Sequence, residues 1–403
     1  MNKSEWREVR LGEVCNKVCS GGTPKSTNPN YYNGDIPWLN TKEVNFNRIY
    51  QTEQKITTEG FNNSSAKWIE ANSIVIAMYG ATAAKVAIAK IKLTTNQACC
   101  NLTINSDIAD YRYIYYSIMN NYHELNSLAN GGAQQNLNSQ IIKDYKILLP
   151  PLSTQQKIAS ILSSLDDKIE LNQNINDNLE LQAQALFKSW FVDFEPFQDG
   201  EFVDSELGRI PKGWKVRLLG DVTTQIKDRV GNKKANVLSP INSGKLVFSE
   251  DYFTKQVYSK DISNYIIVEE HDFAYNPARI NIGSIGINDL KTIGCVSPVY
   301  VVFRTELEYS SFFNLFIKTS IFKEEVKTRA IGGVRQTLNY SDFSLIITIY
   351  PPKEVVCEFN VIYNSILNLI EQNNKENSNL GHIRDTLLPK LMSGEISVEE
   401  IEI

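Results

Sequence analysis

Residues 151–190 read PLSTQQKIASILSSLDDKIELNQNINDNLELQAQALFKSW, and the spacing of their apolar residues predicts one long helix. Steps of four and three residues connect the seam positions, which read Ile158, Leu162, Leu165, Ile169, Asn172, Asn176, Leu179, Ala183, Leu186 and Trp190. This is a heptad seam with a polar interruption. Ser153 or Thr154 is the expected cap. More than 30 residues at 1.5 Å each span roughly 50 Å, so the stripe must pack on another helix.

A second copy of this seam lies 201 residues later in the chain. Its positions read Phe359, Tyr363, Ile366, Ile370, Asn373, Asn377, Leu380, Arg384, Leu387 and Leu391. If the two seams pair antiparallel about their midpoints, Asn172 lies beside Asn377 and Asn176 beside Asn373. Another register would leave buried amides unpaired, at about 1–3 kcal/mol each. We therefore predict that the four asparagines fix the register of a coiled coil. The alternative is that they are exposed at a bend.

An internal repeat extends beyond the helices. Residues 11–14 (LGEV) recur as 219–222 (LGDV), residues 131–138 recur in changed form as 332–339, and Pro150-Pro151 recurs as Pro351-Pro352. A duplication of this kind predicts two similar units with pseudo-twofold symmetry. The expected domains are lobe 1 (1–150), a central long helix (151–198), lobe 2 (199–352), and a C-terminal long helix and tail (353–403).

Each lobe combines strand and helix patterns. Residues 73–79 and 298–303 are β-branched and aromatic runs typical of strands, whereas 111–128 and 310–329 favour helices. The expected fold class is α+β, with two similar mixed α/β lobes separated by two long helices that form an antiparallel coiled coil.

The charge is unevenly distributed along the chain. The net charge is −5, yet residues 1–150 hold 15 Lys and Arg against 12 Asp and Glu, and residues 211–352 hold 18 against 14. Mildly basic lobes are compatible with a nucleic-acid partner. The six cysteines form no CxxC pair and there are three histidines, so no metal or cofactor is expected. No apolar run or signal core is present, so we expect a cytoplasmic protein without a membrane segment.

Three stretches resemble a known family, and together they follow the repeat. They are ILLPPLSTQQKI (147–158), LFKSWFVDFEPF (186–197) and LLPKLMSGEI (387–396), and they are similar to Type I restriction-modification specificity subunits. The resemblance implies two target-recognition domains, each reading one half of a bipartite, asymmetric site in double-stranded DNA. It further implies helices that set the spacing and dock two methyltransferase (modification) subunits, with restriction/translocase subunits joining them. Residues 353–356 (KEVV) depart from the family's Gln-rich opening, so the resemblance does not extend to the cap of the second helix.

Candidate DNA contacts come from side chains that suit base edges or phosphates and lie near glycines or after strands. Arg pairs with guanine, Asn and Gln with adenine, and paired glycines allow close approach of the backbone. The predicted contacts are Thr23, Lys25, Tyr79, Thr82, Lys85, Gln134, Gln135, Asn136, Asn276, Arg279, Asn281, Arg335, Gln336 and Thr337. For the two Gly-Gly segments, a plain turn before a strand is the alternative. Residues 20–27 lack the ending of a nucleotide-binding loop.

Marks of catalysis are missing from the sequence. The Pro-Pro pairs lie in LPPL and YPPK, not in the Asn/Asp-Pro-Pro-Tyr/Phe pattern of amino-methyltransferases, and there is no Gly-x-Gly cofactor fingerprint. The chain is therefore expected to be a non-catalytic DNA-recognition subunit. The alternatives are a specificity subunit of a related bipartite-site restriction system, or a coiled-coil adaptor that does not bind DNA.

Overall fold

The computed structural model describes residues 5–129, 136–253, 256–330 and 337–398. The chain forms two compact units. Unit 1 consists of Met1–Gln173 and Asn374–Ile403, and unit 2 consists of Asn174–Asn373. Helices and strands are numbered in chain order below. Mixed helix and sheet content makes the fold α+β, as the sequence predicts.

Unit 1 contains lobe 1, which is built on two sheets and a short strand pair. The strands are β1 (Arg7–Arg10), β2 (Cys15–Ser20), β3 (Tyr32–Leu39), β4 (Asn47–Ile49), β5 (Gln54–Ile56), β6 (Trp68–Ile69), β7 (Ile74–Ala77), β8 (Val86–Ala89), β9 (Leu93–Thr95), β10 (Cys99–Ile104) and β11 (Lys146–Leu149). A five-stranded sheet has the order β2-β10-β7-β8-β4, and a four-stranded sheet has the order β5-β3-β9-β6. The short helices are α1 (Thr58–Asn62), α2 (Tyr111–Asn120), α3 (Tyr122–Ser127) and α4 (Ser139–Asp144).

Two long helices follow the lobes. They are α5 (Leu152–Phe191) and α11 (Lys353–Met392). Residues 152–173 of α5 belong to unit 1 and residues 174–191 to unit 2. The carbonyl of Pro151 accepts hydrogen bonds from the backbone N–H of Thr154 and Gln155, at 2.9 and 3.0 Å. Ser153 and Thr154 therefore lie inside the first turn, and the prediction that one of them caps the helix is wrong.

Unit 2 contains lobe 2, again with separate small sheets. Its strands are β12 (Phe202–Ser205), β13 (Gly208–Pro211), β14 (Lys215–Leu218), β15 (Thr223–Ile226), β16 (Asn236–Pro240), β17 (Leu246–Phe248), β18 (Ile266–Val268), β19 (Phe273–Tyr275), β20 (Ile285–Ile287), β21 (Gly294–Val296), β22 (Val301–Thr305) and β23 (Ile347–Tyr350). The two four-stranded sheets have the orders β15-β22-β19-β20 and β17-β16-β21-β18. The short helices are α6 (Leu219–Val222), α7 (Ser249–Tyr252), α8 (Ser310–Phe316), α9 (Ser320–Arg329) and α10 (Tyr340–Phe343).

The repeated sequence markers close each lobe at the point where its long helix begins. In unit 1, β1 pairs antiparallel with β11, and in unit 2, β14 pairs antiparallel with β23. The following leucines, Leu11 and Leu219, are buried, and their N–H groups donate to the carbonyls of Tyr145 and Ile346. A Cβ at Gly220 would lie 2.9 Å from the Cβ of Ser344. The Leu-Gly pair is therefore repeated because two segments approach closely here.

The apolar seam residues belong to the core of the unit that contains them. In unit 1, Ile158 and Leu162 of α5 and Leu391 of α11 pack into the core of lobe 1. In unit 2, the seam residues Ala183 of α5 and Phe359 of α11 pack into the core of lobe 2, together with Phe187. A fully buried Leu, Ile or Phe contributes about 1.5–3 kcal/mol, so each seam half stabilises one lobe together with the helices.

Candidate nucleic-acid interface

A loop and an incoming segment lie side by side in lobe 1. The buried strand β7 ends at Ala77, and a single 3₁₀ turn over Gly80–Thr82 leads into β8. Tyr79 forms an antiparallel bridge with Asn136, and the N–H of Leu137 donates to the carbonyl of Met78 at 2.8 Å. Both Tyr79 and Asn136 are exposed. The structure therefore joins two predicted contact residues that are 57 positions apart in the sequence.

Lobe 2 repeats this arrangement with different side chains. Strand β19 ends at Tyr275, a 3₁₀ turn over Ile280–Ile282 follows, and β20 begins shortly afterwards. The N–H of Leu338 donates to the carbonyl of Pro277 at 3.0 Å, which places Thr337 beside this loop. Gly283 has φ of +89°, a left-handed conformation that an L side chain rarely adopts.

The two lobes present different chemistry at these equivalent loops. Arg279 is exposed. The Oδ1 atom of Asn276 accepts the N–H of Ala278 at 3.0 Å, so part of that amide is used to shape the loop. Asn281 is half-buried. In lobe 1, Thr82 is half-buried, and the Nζ atom of Lys85 donates to the Oδ1 atom of Asn45 at 2.7 Å.

The first predicted loop of lobe 1 owes its glycines to packing. A Cβ at Gly21 would lie 2.1 Å from the carbonyl oxygen of Thr95, and one at Gly22 would lie 2.2 Å from the backbone of Ser65. The hydroxyl of Thr23 is hydrogen-bonded to the side chain of Gln97, whereas Lys25 is exposed. Close approach of protein backbone thus explains the glycine pair without a phosphate.

Four of the predicted contacts lie outside the described residues. They are Gln134, Gln135, Arg335 and Gln336. The described neighbours of these segments are the buried Ala129 and exposed Asn136 in lobe 1, and the buried Ala330 and exposed Thr337 in lobe 2. Each segment is therefore flanked by a buried alanine and by a residue that lies at the loop described above.

The seam asparagines form two hydrogen-bonded pairs. In unit 1, the Nδ2 atom of Asn172 donates to the Oδ1 atom of Asn377 at 2.9 Å and to the carboxylate of Glu376 at 2.7 Å. In unit 2, the Nδ2 atom of Asn373 donates to the Oδ1 atom of Asn176 at 2.8 Å. Each of these hydrogen bonds joins two asparagines that antiparallel pairing of the helices about their midpoints places side by side.

The sequence did not single out Ile282, which lies at the end of the lobe 2 turn. Its side chain is 65% exposed, while Ile280 two positions earlier is buried. Isoleucine in a strand-rich lobe is typical of the core, so its residue type does not indicate a surface position. Its place in the sequence next to the predicted contacts Arg279 and Asn281 is the signal that could have pointed to it.

Within the described part of the chain, no group of three or more His, Cys, Asp or Glu residues is arranged to hold a metal ion. Nor do the helices of these same ranges include one that is long and apolar enough to cross a membrane.

Comparison with known proteins decides the family. Residues 3–181 match the family model for the Type I restriction modification DNA specificity domain. The Type I restriction enzyme MjaIX specificity subunit of Methanocaldococcus jannaschii is 31% identical, over 98% of this chain and 95% of that one. The chain belongs to the Type I restriction-modification specificity subunits. Its function is therefore DNA specificity within a Type I restriction-modification system.

Two further matches extend over nearly the whole chain. The HindI specificity subunit of Haemophilus influenzae is 25% identical, over 98% of this chain and 100% of that one. The crystal structure of a Type I restriction-modification S subunit from M. genitalium matches 97% of both chains, with a TM-score of 0.54 and 17% identity. The similarity to this solved S subunit supports the fold of the chain.

Proposed function

We propose that this specificity subunit reads a bipartite, asymmetric site in double-stranded DNA, with one half read by each lobe. The observation that carries the proposal is the matched pair of loops, in which Leu137 is bonded to Met78 and Leu338 to Pro277. The loops have the same backbone arrangement but carry different side chains, so the two lobes would recognise different half-sites. In this division, residues 1–150 and 199–352 are the reading domains, and 151–198 and 353–403 are the connecting helices.

The base-reading residues are expected on these loops. Arg279 is exposed and suits guanine, Asn281 and Asn276 suit adenine, and Thr337 lies beside them. In lobe 1, we expect Tyr79, Thr82 and Asn136 to form the corresponding surface, with Lys85 and Lys25 as phosphate contacts. Gln134, Gln135, Arg335 and Gln336 remain predicted contacts of the same two surfaces.

The long helices are proposed to act as a spacer and a docking platform. Contacts of Asn172 with Asn377 in unit 1 and of Asn373 with Asn176 in unit 2 support antiparallel pairing of α5 and α11 about their midpoints. A paired helix resists bending far better than a flexible linker, so it would hold two reading domains at a defined separation. Two methyltransferase subunits would dock on this pair and supply the chemistry, and restriction/translocase subunits would join them; the specificity subunit itself would be non-catalytic.

Methylation profiling tests this function directly. DNA from cells that carry the complete system, with and without this chain, is sequenced for modified bases. We expect a split, asymmetric motif that disappears without the chain, and exchange of residues 1–150 for the lobe of another family member should change one half of the motif. A continuous motif, or methylation that does not depend on this chain, would contradict the proposal and favour an adaptor role.

A single substitution tests the lobe 2 loop. Arg279→Ala should weaken binding of the motif by the assembled complex by about 1–3 kcal/mol and relax the base preference at one position. Lys212→Ala is the matched control, because it removes the same charge from an exposed residue that is paired with Glu201. Loss of affinity that is equal for all DNA sequences would assign Arg279 to a phosphate instead.

A further inference from the structure

Arg384 interrupts the apolar seam of α11. The seam residue 201 positions earlier in α5 is Ala183, which is buried in the core of unit 2. In unit 1, the Nη1 atom of Arg384 donates to the Oδ1 atom of Asp166 at 2.7 Å, and its Nε atom donates to Asp385. The side chains of Arg384 and Asp166 are largely shielded from solvent. A guanidinium in a seam needs such a carboxylate, because an unpaired charge there is strongly unfavourable.

The second oxygen of Asp166 contacts lobe 1. The hydroxyl of Tyr116, on α2, donates to the Oδ2 atom of Asp166 at 2.5 Å, and the tyrosine is almost completely buried. Burial raises the pKa of Tyr116 far above its ordinary value, and the charge of Asp166 raises it further, so the hydroxyl stays protonated as a donor. One carboxylate therefore connects lobe 1, α5 and α11.

Arg48 makes a second connection between lobe 1 and α5, next to the first. This arginine lies on β4, and its side chain is only 10% exposed. It contacts the carboxylates of Asp167 and Glu170, and it donates to the carbonyl of Ser163 at 3.4 Å. The hydroxyl of Tyr50 donates to Glu170 at 2.8 Å.

Contacts of this kind constrain direction as well as distance. Apolar surfaces tolerate small sliding movements, since burial has no directional requirement. Rotation of lobe 1 on the helices breaks the hydrogen bond from Tyr116 to Asp166, and it separates the buried charge of Arg48 from the carboxylates on α5. Arg384 holds Asp166 in place for Tyr116 from the neighbouring helix. Lobe 1 is thus held on its helices in one orientation by two neighbouring charged connections.

We propose that Arg48, Asp166 and Arg384 are positioning residues that fix the orientation of lobe 1 on the helices, and thereby restrict the spacer length of the DNA site. This inference rests on the proposed bipartite recognition. Adding one base pair to the spacer rotates one half-site relative to the other by about 35° and moves it by about 3.4 Å. A lobe in a single orientation cannot follow that rotation, whereas a lobe with freed orientation can.

The test compares methylation of altered spacers by the complete system. A plasmid series carries the native motif with its spacer lengthened or shortened by one base pair. The triple variant Asp166→Asn, Arg384→Met and Arg48→Met removes the charged connections, leaves an acceptor for Tyr116, and avoids an unpaired buried charge. We expect methylation at altered spacers, relative to the native spacer, to rise about tenfold, with the bases of both half-sites unchanged.

The control pair is Lys245→Met with Glu180→Gln, which neutralises a more exposed ion pair between lobe 2 and α5 in unit 2. Its spacer ratio should equal that of the wild type. If the triple variant does not fold, Arg48→Lys and Tyr116→Phe are measured instead, and each should raise the ratio about two- to threefold. An unchanged ratio in a folded variant overturns the positioning role alone, whereas a continuous wild-type motif overturns the proposed function as well.

Discussion

Lobe 1 and lobe 2 are attached to the long helices by different kinds of contact. In unit 1, apolar seam contacts are joined by the charged groups of Arg48, Asp166 and Arg384. In unit 2, the attachment is mainly aromatic: the ring of Phe312 in lobe 2 lies 5.3 Å from that of Phe187 and 5.0 Å from that of Phe191, both on α5. Duplicated units can therefore keep one backbone plan while one copy is held by directional bonds and the other by packed rings.

The aromatic attachment is expected to give the largest effect on stability. Phe359→Ala removes a fully buried ring that contacts Phe187, Trp190 and Phe191, and it should lower the free energy of unfolding by about 3–5 kcal/mol. Hydrogen exchange should show loss of protection in unit 2, with unit 1 little changed. Equal loss of protection in both units would show that the two attachments unfold as one. Phe253→Ala, an exposed phenylalanine in the same unit, is the control.

The charged attachment should respond differently to one substitution and to two. Asp166→Ala leaves Arg384 with only the exposed carboxylate of Asp385 and leaves Tyr116 without its acceptor, and it should cost about 3 kcal/mol in chemical denaturation. The pair Asp166→Asn with Arg384→Met should cost less than about 1 kcal/mol, because no charge is left unpaired. Equal costs for the two variants would mean that the charges do not interact.

The asparagine pairs should make an intermediate contribution in both units. Asn176→Ala leaves the amide of Asn373 without its acceptor and should cost about 1–2 kcal/mol. Replacement of all four asparagines by leucine should instead change the register or oligomeric state of the helices. Crosslinking between α5 and α11 reports the register, and an unchanged pattern with unchanged half-site spacing would remove the register role.

The smallest effect is expected at the exposed ion pair of unit 2. Lys245→Met should change the stability by less than about 1 kcal/mol, and the change should vanish in 1 M salt. The network around Asp166 is better shielded and should keep most of its effect at that salt concentration. A large, salt-resistant effect at Lys245 would weaken the contrast between the two attachments.

Much of the fold could be predicted because heptad spacing and repeats are local, periodic signals. The long helices, the α+β lobes and the asparagine partners follow from spacing along the chain. The start of α5 was misjudged because Gln155, not Ser153 or Thr154, organises it: its buried side chain donates to the carbonyl of Pro150 at 2.8 Å and accepts from the N–H of Asp110 at 3.0 Å. The contact between Gln155 and Asp110 joins residues 45 positions apart, and no local pattern encodes it.

The sequence by itself determined the duplicated plan and the family, because periodic seams and matched motifs need only the order of residues. The tertiary structure decided which side chains meet. Strand pairing joins Tyr79 to Asn136, and the lobe 2 turn exposes Ile282 near Arg279. Helix packing gives Arg384, a charged residue in an apolar seam, the carboxylate of Asp166 as its partner. These contacts depend on strand pairing and helix packing between residues that are far apart in the sequence. Which charges meet, and which side chains are buried, is therefore decided only in the folded chain.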